Sequence, residues 1–130
     1  MINKQTVLIT GANSGIGKAT VIKYLSGNYK VIGHYNKSND FLHKISNKNL
    51  FTIQGDLSNV LDIKKVFNYC IKKTDKLDVL INNAGIGRGV GGLLNSTKKD
   101  IEISSKLNVE AHLHVLKALV PNMIKQRKGH

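Results

Sequence analysis

Three glycines follow a short apolar segment near the N-terminus, and their spacing could bind phosphate. The apolar residues Val7–Ile9 lead into Thr10 and Gly11, and Gly15 and Gly17 stand at the start of a predicted helix. Gly11 would allow a sharp backbone turn, Gly15 would leave room for a pyrophosphate, and Gly17 would let the helix pack close to the strand. The free N–H groups and the positive end of the helix dipole favour an anion. A tight turn without a ligand is the alternative, but the strand before and the helix after are the context that dinucleotide binding requires.

Two further polar motifs follow predicted strands and could line the same site. Asp56 and Leu57 follow the third strand, and the run Asn82–Gly85 follows the fourth. Loops at the carboxyl ends of parallel strands converge on one crevice. Asp56 could accept a hydrogen bond from an adenine amino group, with Leu57 against the ring, although the same acid could simply begin a helix. The run Asn82–Gly85 could form a wall beside a cofactor, or it could be a purely structural turn.

The end of the second predicted strand indicates which dinucleotide would bind. An acid about 20 residues after the glycine turn would hydrogen-bond the ribose hydroxyls of NAD, and Tyr35–Ser38 contains no acid. Lys37 could instead pair with a 2′-phosphate, which favours NADP without excluding NAD. Lys37 could equally be an ordinary loop lysine.

Alternating strands and helices must position these residues. The predicted elements are a strand at 7–9, a helix at 16–25, a strand at 30–35, a short helix at 40–46, a strand at 50–54, a helix capped by Ser58, a strand at 77–81 and a long helix capped by Ser96 that continues to Met123. This alternation predicts an α/β fold with parallel strands and right-handed crossovers. Gly27 is expected in the left-handed conformation after the first long helix. Pro121 is expected to kink or loosen the last helix.

Composition fits one ordinary domain and argues against several classes of function. The net charge of the 130 residues is +12, but the lysines are scattered and aromatic residues are few, which argues against nucleic-acid binding. No segment is long and apolar enough for a signal peptide or a membrane span. The single cysteine, Cys70, fits a reducing cytoplasm. No metal-ligand spacing is found among the histidines and Cys70, since His112 and His114 would point apart on a helix.

The motifs together resemble the short-chain dehydrogenase/reductase family, in its "classical" type. The matching motifs, in chain order, are Thr10–Gly17, Gly55–Leu57, Asn82–Gly85 and Asn108 in the run Lys106–Val109. The three residues between the first two glycines favour the classical type over the extended, epimerase-like type. The resemblance spans nearly the whole chain, and the ordered set is specific although each motif alone is not.

The resemblance implies a Rossmann-type parallel sheet of order 3-2-1-4 with helices on both faces. Residues 1–130 would form the NAD(P)-binding domain, truncated before the catalytic half, and would serve hydride transfer between NADP(H) and a small carbonyl or alcohol substrate. Cofactor binding is assigned to Gly11, Asn13, Ser14, Gly15, Ile16, Gly17, Asn36, Lys37, Asp56, Leu57, Asn83, Ala84 and Gly85. The resemblance also implies a homo-oligomer in which the last helix packs against a partner subunit, while the fourth strand would present a bare apolar edge.

The catalytic residues that the resemblance implies are mostly missing. Asn108 would be the catalytic residue that supports a water-linked proton relay, or it could be a surface or cap residue. The family's serine and Tyr-x-x-x-Lys pair would follow it, but Val109–His130 contains no Ser or Tyr. Tyr69 and Lys73 have the right spacing but precede that place, so we interpret them as non-catalytic. Residues 1–130 alone are therefore expected to be inactive, and a non-catalytic dinucleotide-binding module or an inactive truncated product is the alternative.

Overall fold

A four-stranded parallel sheet forms the centre of the protein in the computed structural model, which describes residues 4–87 and 92–130. The strands are β1 (Thr6–Ile9), β2 (Lys30–Tyr35), β3 (Leu50–Gln54) and β4 (Val79–Ile81). The α-helices are α1 (Gly15–Ser26), α2 (Val60–Thr74), α3 (Lys98–Ser105) and α4 (Ala111–Gln126). Single 3₁₀ turns lie at Leu42–Lys44 and Leu93–Asn95, and a π-helical segment, Lys106–Glu110, joins α3 to α4.

The strand order is β3-β2-β1-β4, and every pair is parallel. In the central strand, Val7 pairs with Val31 on one side and with Val79 on the other. The predicted α/β class and the order 3-2-1-4 are confirmed. The strand order reverses at β1, so the crevice beyond the carboxyl ends of β1 and β4 is the place where such sheets bind ligands.

Helices cover both faces of the sheet, as predicted. On one face, Val7 and Ile9 pack with Val21 of α1. On the other face, Leu8 and Ile32 pack against α2 and α4. Burial on both faces explains why Val7–Ile9 of β1 is a continuous apolar run rather than an alternating pattern.

The outer edge of β4 was expected to be bare, but it pairs with the C-terminal residue. The Leu80 N–H donates to the His130 carbonyl at 2.8 Å, and the His130 N–H donates to the Asp78 carbonyl at 2.9 Å. Beside this edge lies an open apolar groove of about 500 Å³ against α4, with Leu116 and Met123 in its wall. No residue of the glycine turn lines this groove.

Two predicted helix caps are wrong by one residue each. Asn59, not Ser58, caps α2, because its side chain accepts the Leu61 N–H at 2.8 Å. The Ser58 N–H is itself bonded to the Asp56 carboxylate at 2.9 Å, which places Ser58 in the turn before the helix.

The last helix begins at a different cap and is not uniform. Thr97, not Ser96, caps α3 through a capping box with Asp100, whereas the Ser96 hydroxyl donates to the Gly92 carbonyl. The predicted single long helix is divided by the π-helical segment, and α4 continues past Pro121 to Gln126.

Two further local predictions also need correction. Gly27 has a φ of −82°, and the left-handed residue after α1 is Asn28, with a φ of +64°. An asparagine tolerates this conformation better than most residues other than glycine. The short helix predicted at 40–46 is only a 3₁₀ turn, since Ile45 already has an extended backbone.

Within the described part of the chain, no helix is both long and apolar enough to span a membrane. The same residues contain no cluster of three or more histidine, cysteine or acidic side chains that could hold a metal ion.

Candidate functional site

The glycine turn between β1 and α1 has the geometry that its three glycines were predicted to provide. Gly11 has a φ of +62°, and a Cβ there would lie 2.9 Å from the Ala84 Cα. A Cβ on Gly17 would lie 2.7 Å from the Asn83 Nδ2 and closer still to the Gly11 carbonyl oxygen. Both positions therefore exclude side chains by packing, which lets α1 approach β1 closely.

Gly15 differs, because its surroundings are open. It has a φ of +52°, and a Cβ built there would meet nothing within 4 Å. Ser14 precedes it with an extended backbone and makes no capping hydrogen bond with its side chain, and Ile16 is exposed. The first turn of α1 also carries no acidic residue. The start of this helix thus combines open space with uncapped N–H groups, which suits an anionic group such as a pyrophosphate.

The loop after β4 is joined directly to the glycine turn. The Asn83 Nδ2 donates to the Thr10 and Gly11 carbonyls at 2.9 and 3.1 Å. The Thr10 hydroxyl oxygen accepts the N–H groups of Asn83 and Ala84 at 3.0 and 2.9 Å and donates to the Ile81 carbonyl at 3.3 Å. The Asn83 side chain therefore braces the turn, while Ala84 and Gly85 form the wall of the neighbouring cavity.

Leu57 also lines this cavity, and Asp56 precedes it in the chain. The Asp56 carboxylate accepts hydrogen bonds from Ser58, which hold the pKa of Asp56 below its ordinary value. An ionised carboxylate accepts hydrogen bonds and cannot donate them, which fits the predicted contact with an amino group. The Leu57 side chain is buried and lines the cavity.

The loop after β2 contains the residues predicted to select the cofactor. Asn36 lines the cavity and Lys37 is exposed beside it in the chain. The Asn13 Oδ1 accepts the N–H groups of Phe41 and Leu42 at 3.1 and 3.2 Å, so Asn13 holds the loop in place.

The same loop contains an acid, Asp40, that is not among the predicted site residues. The Ser38 hydroxyl donates to the Asp40 carboxylate at 2.7 Å and is 3.5 Å from the Asn13 Nδ2. Asp40 lies two residues beyond the segment Tyr35–Ser38, which contains no acid.

Asn108 hydrogen-bonds the backbone of the segment after β4. It lies in the π-helical segment, where its Oδ1 accepts the Ile86 N–H and its Nδ2 donates to the Ile86 carbonyl, both at 2.9 Å. Next to it, the His112 Nε2 donates to the Ala84 carbonyl at 2.6 Å. The asparagine in an apolar helical setting did signal an unusual position, but nothing in the sequence indicated the contact made by His112.

A cavity of about 130 Å³ connects these elements. It is lined by Gly11, His34, Asn36, Leu57, Ala84, Gly85, Ile86 and Leu107. All four strand ends contribute to it, and five of the predicted cofactor-binding residues line it: Gly11, Asn36, Leu57, Ala84 and Gly85. The other predicted residues of the glycine turn, and Asn83, do not belong to its wall. Lys37, Asp56 and Asn108 lie next to lining residues in the chain but not in the wall itself.

The pair with catalytic spacing, Tyr69 and Lys73, lies on α2. The Lys73 Nζ stands 5.6 Å from the centre of the Tyr69 ring. Burial raises the pKa of Tyr69, whereas a tyrosine acting as a general base needs a lowered pKa. These observations argue against a catalytic role for the pair.

Comparison with known proteins agrees with this geometry. A family model described as short chain dehydrogenase matches residues 5–130. The chain is 38% identical over 127 residues to the 3-oxoacyl-(acyl-carrier-protein) reductase FabG of Thermotoga maritima. The matched range covers 94% of this chain and 51% of that protein. It is 35% identical over 134 residues to FabG of Buchnera aphidicola subsp. Acyrthosiphon pisum, which covers 98% of this chain and 53% of that protein.

Solved structures are similar over the same range. The structure of ElxO with NADP bound matches with a TM-score of 0.88 at 29% identity, covering 97% of this chain and 53% of that chain. Serine dehydrogenase from Escherichia coli matches with a TM-score of 0.86 at 25% identity, covering 97% and 59%. The chain spans about half the length of the curated relatives it matches. It belongs to the short-chain dehydrogenase family.

Proposed function

We propose that residues 1–130 are the cofactor-binding part of an NADP(H)-dependent oxidoreductase that transfers hydride between the nicotinamide and a carbonyl or alcohol substrate. The observation that carries this proposal is the open, positive-φ Gly15 at the start of α1, in a turn whose other two glycines are fixed by packing. The positive φ of Gly15 favours glycine, but packing does not require it, because no atom would contact a Cβ there. A phosphate that approaches the backbone provides the further reason.

The residues around the cavity fit a dinucleotide. The N–H groups from Gly15 to Gly17 would hold the pyrophosphate, Asp56 would accept from the adenine amino group, and Leu57 would pack against the ring. When bound, the nicotinamide supplies or accepts the hydride. Asn108 would position the wall after β4 through Ile86 and would organise water beside it. The proton donor for the carbonyl oxygen would come from residues outside 1–130.

Several observations support NADP rather than NAD. Lys37 is exposed in the loop after β2, and Tyr35–Ser38 contains no acid that would bind ribose hydroxyls. The similar structure of ElxO has NADP bound. Asp40 lies close enough in the loop to weaken this preference, so NAD is the second candidate.

A second copy of this chain is the proposed partner, through the last helix. Val109, Leu113 and Leu116 are exposed apolar residues along the π-helical segment and α4. Exposed apolar surface of this kind marks an interaction site. Cys70 is a free, buried thiol, which fits the proposed reducing cytoplasm.

The cofactor site is tested by calorimetric titration of NADPH into the chain and into Gly15→Val. The branched side chain would fill the open space at the start of α1, so we expect an affinity loss of about tenfold or more. The matched control is Gly92→Val, because Gly92 also has a positive φ, +76°, with nothing within 4 Å of its Cβ position. Equal affinity of the parent and Gly15→Val would overturn the site. Absence of NADPH binding by the parent would overturn the proposed function.

A further inference from the structure

His34 is a buried polar side chain within the crevice, and the residues already assigned to the cofactor do not include it. It lies near the carboxyl end of β2, between β1 and β3, and is only 2% exposed. Its neighbour Ile32 on the same strand face belongs to the apolar core. A buried imidazole in such surroundings requires hydrogen-bond partners.

The two ring nitrogens of His34 bind the two loops that flank the crevice. The Nε2 is 2.8 Å from the Gly55 carbonyl oxygen, which can only accept, so Nε2 carries the proton. The Nδ1 accepts the Gly11 N–H at 3.3 Å, so Nδ1 carries none. The partners therefore select one neutral tautomer. The main chain adds a further link, because the His34 carbonyl accepts the Ala12 N–H at 2.8 Å.

Both partners belong to loops assigned to the cofactor, and Gly11 is itself an assigned residue. Gly11 begins the glycine turn, and Gly55 precedes Asp56 and Leu57. The imidazole itself lines the cavity between them. It thus fixes the separation between the loop assigned to the pyrophosphate and the loop assigned to the adenine.

We propose that His34 is a positioning residue of the dinucleotide site, which in its neutral Nε2–H form joins the glycine turn to the loop after β3 and holds both at the spacing that the cofactor requires. This inference rests on the proposed function, since it concerns the same site. It assigns a role in affinity to a residue that need not touch the cofactor.

The charge of the ring is part of this role. A proton on Nδ1 would point at the Gly11 N–H, so two donors would face each other. Burial lowers the pKa of His34, while the Gly55 carbonyl, Asp56 and Asp62 oppose that change. Asp56 in turn faces Lys106 of the π-helical segment. The neutral, bridging form is therefore the stable one at neutral pH, and acid should break the bridge.

Two variants separate the hydrogen bonds from the shape of the ring. His34→Gln keeps one donor and one acceptor, whereas His34→Phe keeps a ring and removes both. We expect NADPH to bind His34→Phe about tenfold more weakly than the parent and His34→Gln within about threefold of it, because an unpaired buried N–H or C=O costs on the order of 1–3 kcal/mol. Equal affinities of the parent and His34→Phe would overturn the inference.

The pH dependence provides a readout that a purely structural residue would not change. The parent should lose NADPH affinity as the pH falls from 7 towards 5, by more than His34→Gln loses. The 2′-phosphate of NADPH titrates in the same range, but it does so equally with both proteins. The ratio of their two NADPH affinities therefore reports on His34 alone. A constant ratio across this range would contradict the proposal.

Nitrogen NMR of the unmodified, ¹⁵N-histidine-labelled chain tests the bridge without a variant that could fail to fold. The expected result is a His34 ring with a protonated Nε2 and an unprotonated Nδ1 at pH 7. The opposite tautomer would overturn the inference whether or not NADPH binds. If the tautomer is as expected but the parent binds no NADPH, the proposed function fails, and with it the role in cofactor positioning.

Discussion

The turn after β1 and the loop after β2 face the same cavity but are held in different ways. In the turn, Gly11 and Gly17 approach other backbone atoms so closely that no Cβ fits, and the Thr10 hydroxyl makes three hydrogen bonds. In the loop, Lys37 is exposed, and side chains hold the chain: Asn13 accepts the N–H groups of Phe41 and Leu42, and the Gln54 side chain donates to the Asn36 carbonyl. The turn is therefore part of the fold, whereas the loop can change without loss of the fold. Substitutions in the turn should act on stability, and those in the loop on the choice of ligand.

Gly17→Ala should have the largest effect, because the added methyl group would lie against the Gly11 carbonyl and the Asn83 amide. Helix propensity alone predicts that this change raises the free energy of unfolding by about 1 kcal/mol. A decrease would therefore come from the close packing around Gly17. We expect a loss in the free energy of unfolding of about 3 kcal/mol or more, measured in urea. Gly87→Ala is the control, since a Cβ there meets nothing within 4 Å. Equal stability of the two variants would show that the turn can relax.

Thr10→Val should cost less but still reduce stability, by about 2–4 kcal/mol, because it leaves the N–H groups of Asn83 and Ala84 without their acceptor. Thr6→Val is the matched control in the same region. Both threonines are 1% exposed, but the Thr6 hydroxyl has no hydrogen-bond partner among the described residues. Thr6→Val should therefore be neutral or stabilising in the same unfolding experiment. Similar losses in both variants would mean that the Thr10 hydrogen bonds contribute little.

The difference between local signals and distant contacts explains which parts of the fold the sequence could predict. The bounds of β2 and β3 were predicted correctly, because apolar runs between turn residues are local signals. The caps at Ser58 and Ser96 were wrong by one residue, because the next residue in each case can also cap and the loop contacts decide between them. The π-helical segment that divides the last helix contains Asn108, whose partner Ile86 lies 22 positions away, and such a distant contact gives no local signal in the sequence.

The residues of the candidate site also differ in whether the sequence could identify them. The glycine turn could be identified because each glycine follows from a local backbone requirement. The contacts of His34 and His112 could not, since a histidine in a strand or helix does not indicate its partners. A buried polar residue near the end of an apolar strand is nevertheless a signal, and the Val31–Tyr35 segment contained it.

Lys37→Asp should leave stability nearly unchanged and alter only the choice of cofactor. Lys37 is exposed, so replacing it should change the free energy of unfolding by less than about 0.5 kcal/mol. The ratio of NADP to NAD affinity, measured by calorimetry, should fall about tenfold, because an attraction to the 2′-phosphate would become a repulsion. The effect stays modest because solvent screens the loop and because Asp40, bonded to Ser38, already contributes a negative charge there.

Lys48→Asp makes the same change in charge at an exposed site before β3, at the opposite end of the sheet from the crevice. It should leave the NADP to NAD ratio unchanged. If both variants lower the ratio equally, the preference comes from the overall positive charge of the chain and not from the loop after β2. If neither lowers it, Lys37 does not contact the phosphate, and the side chains around Asn13 and Ser38 become the candidates for selecting the cofactor.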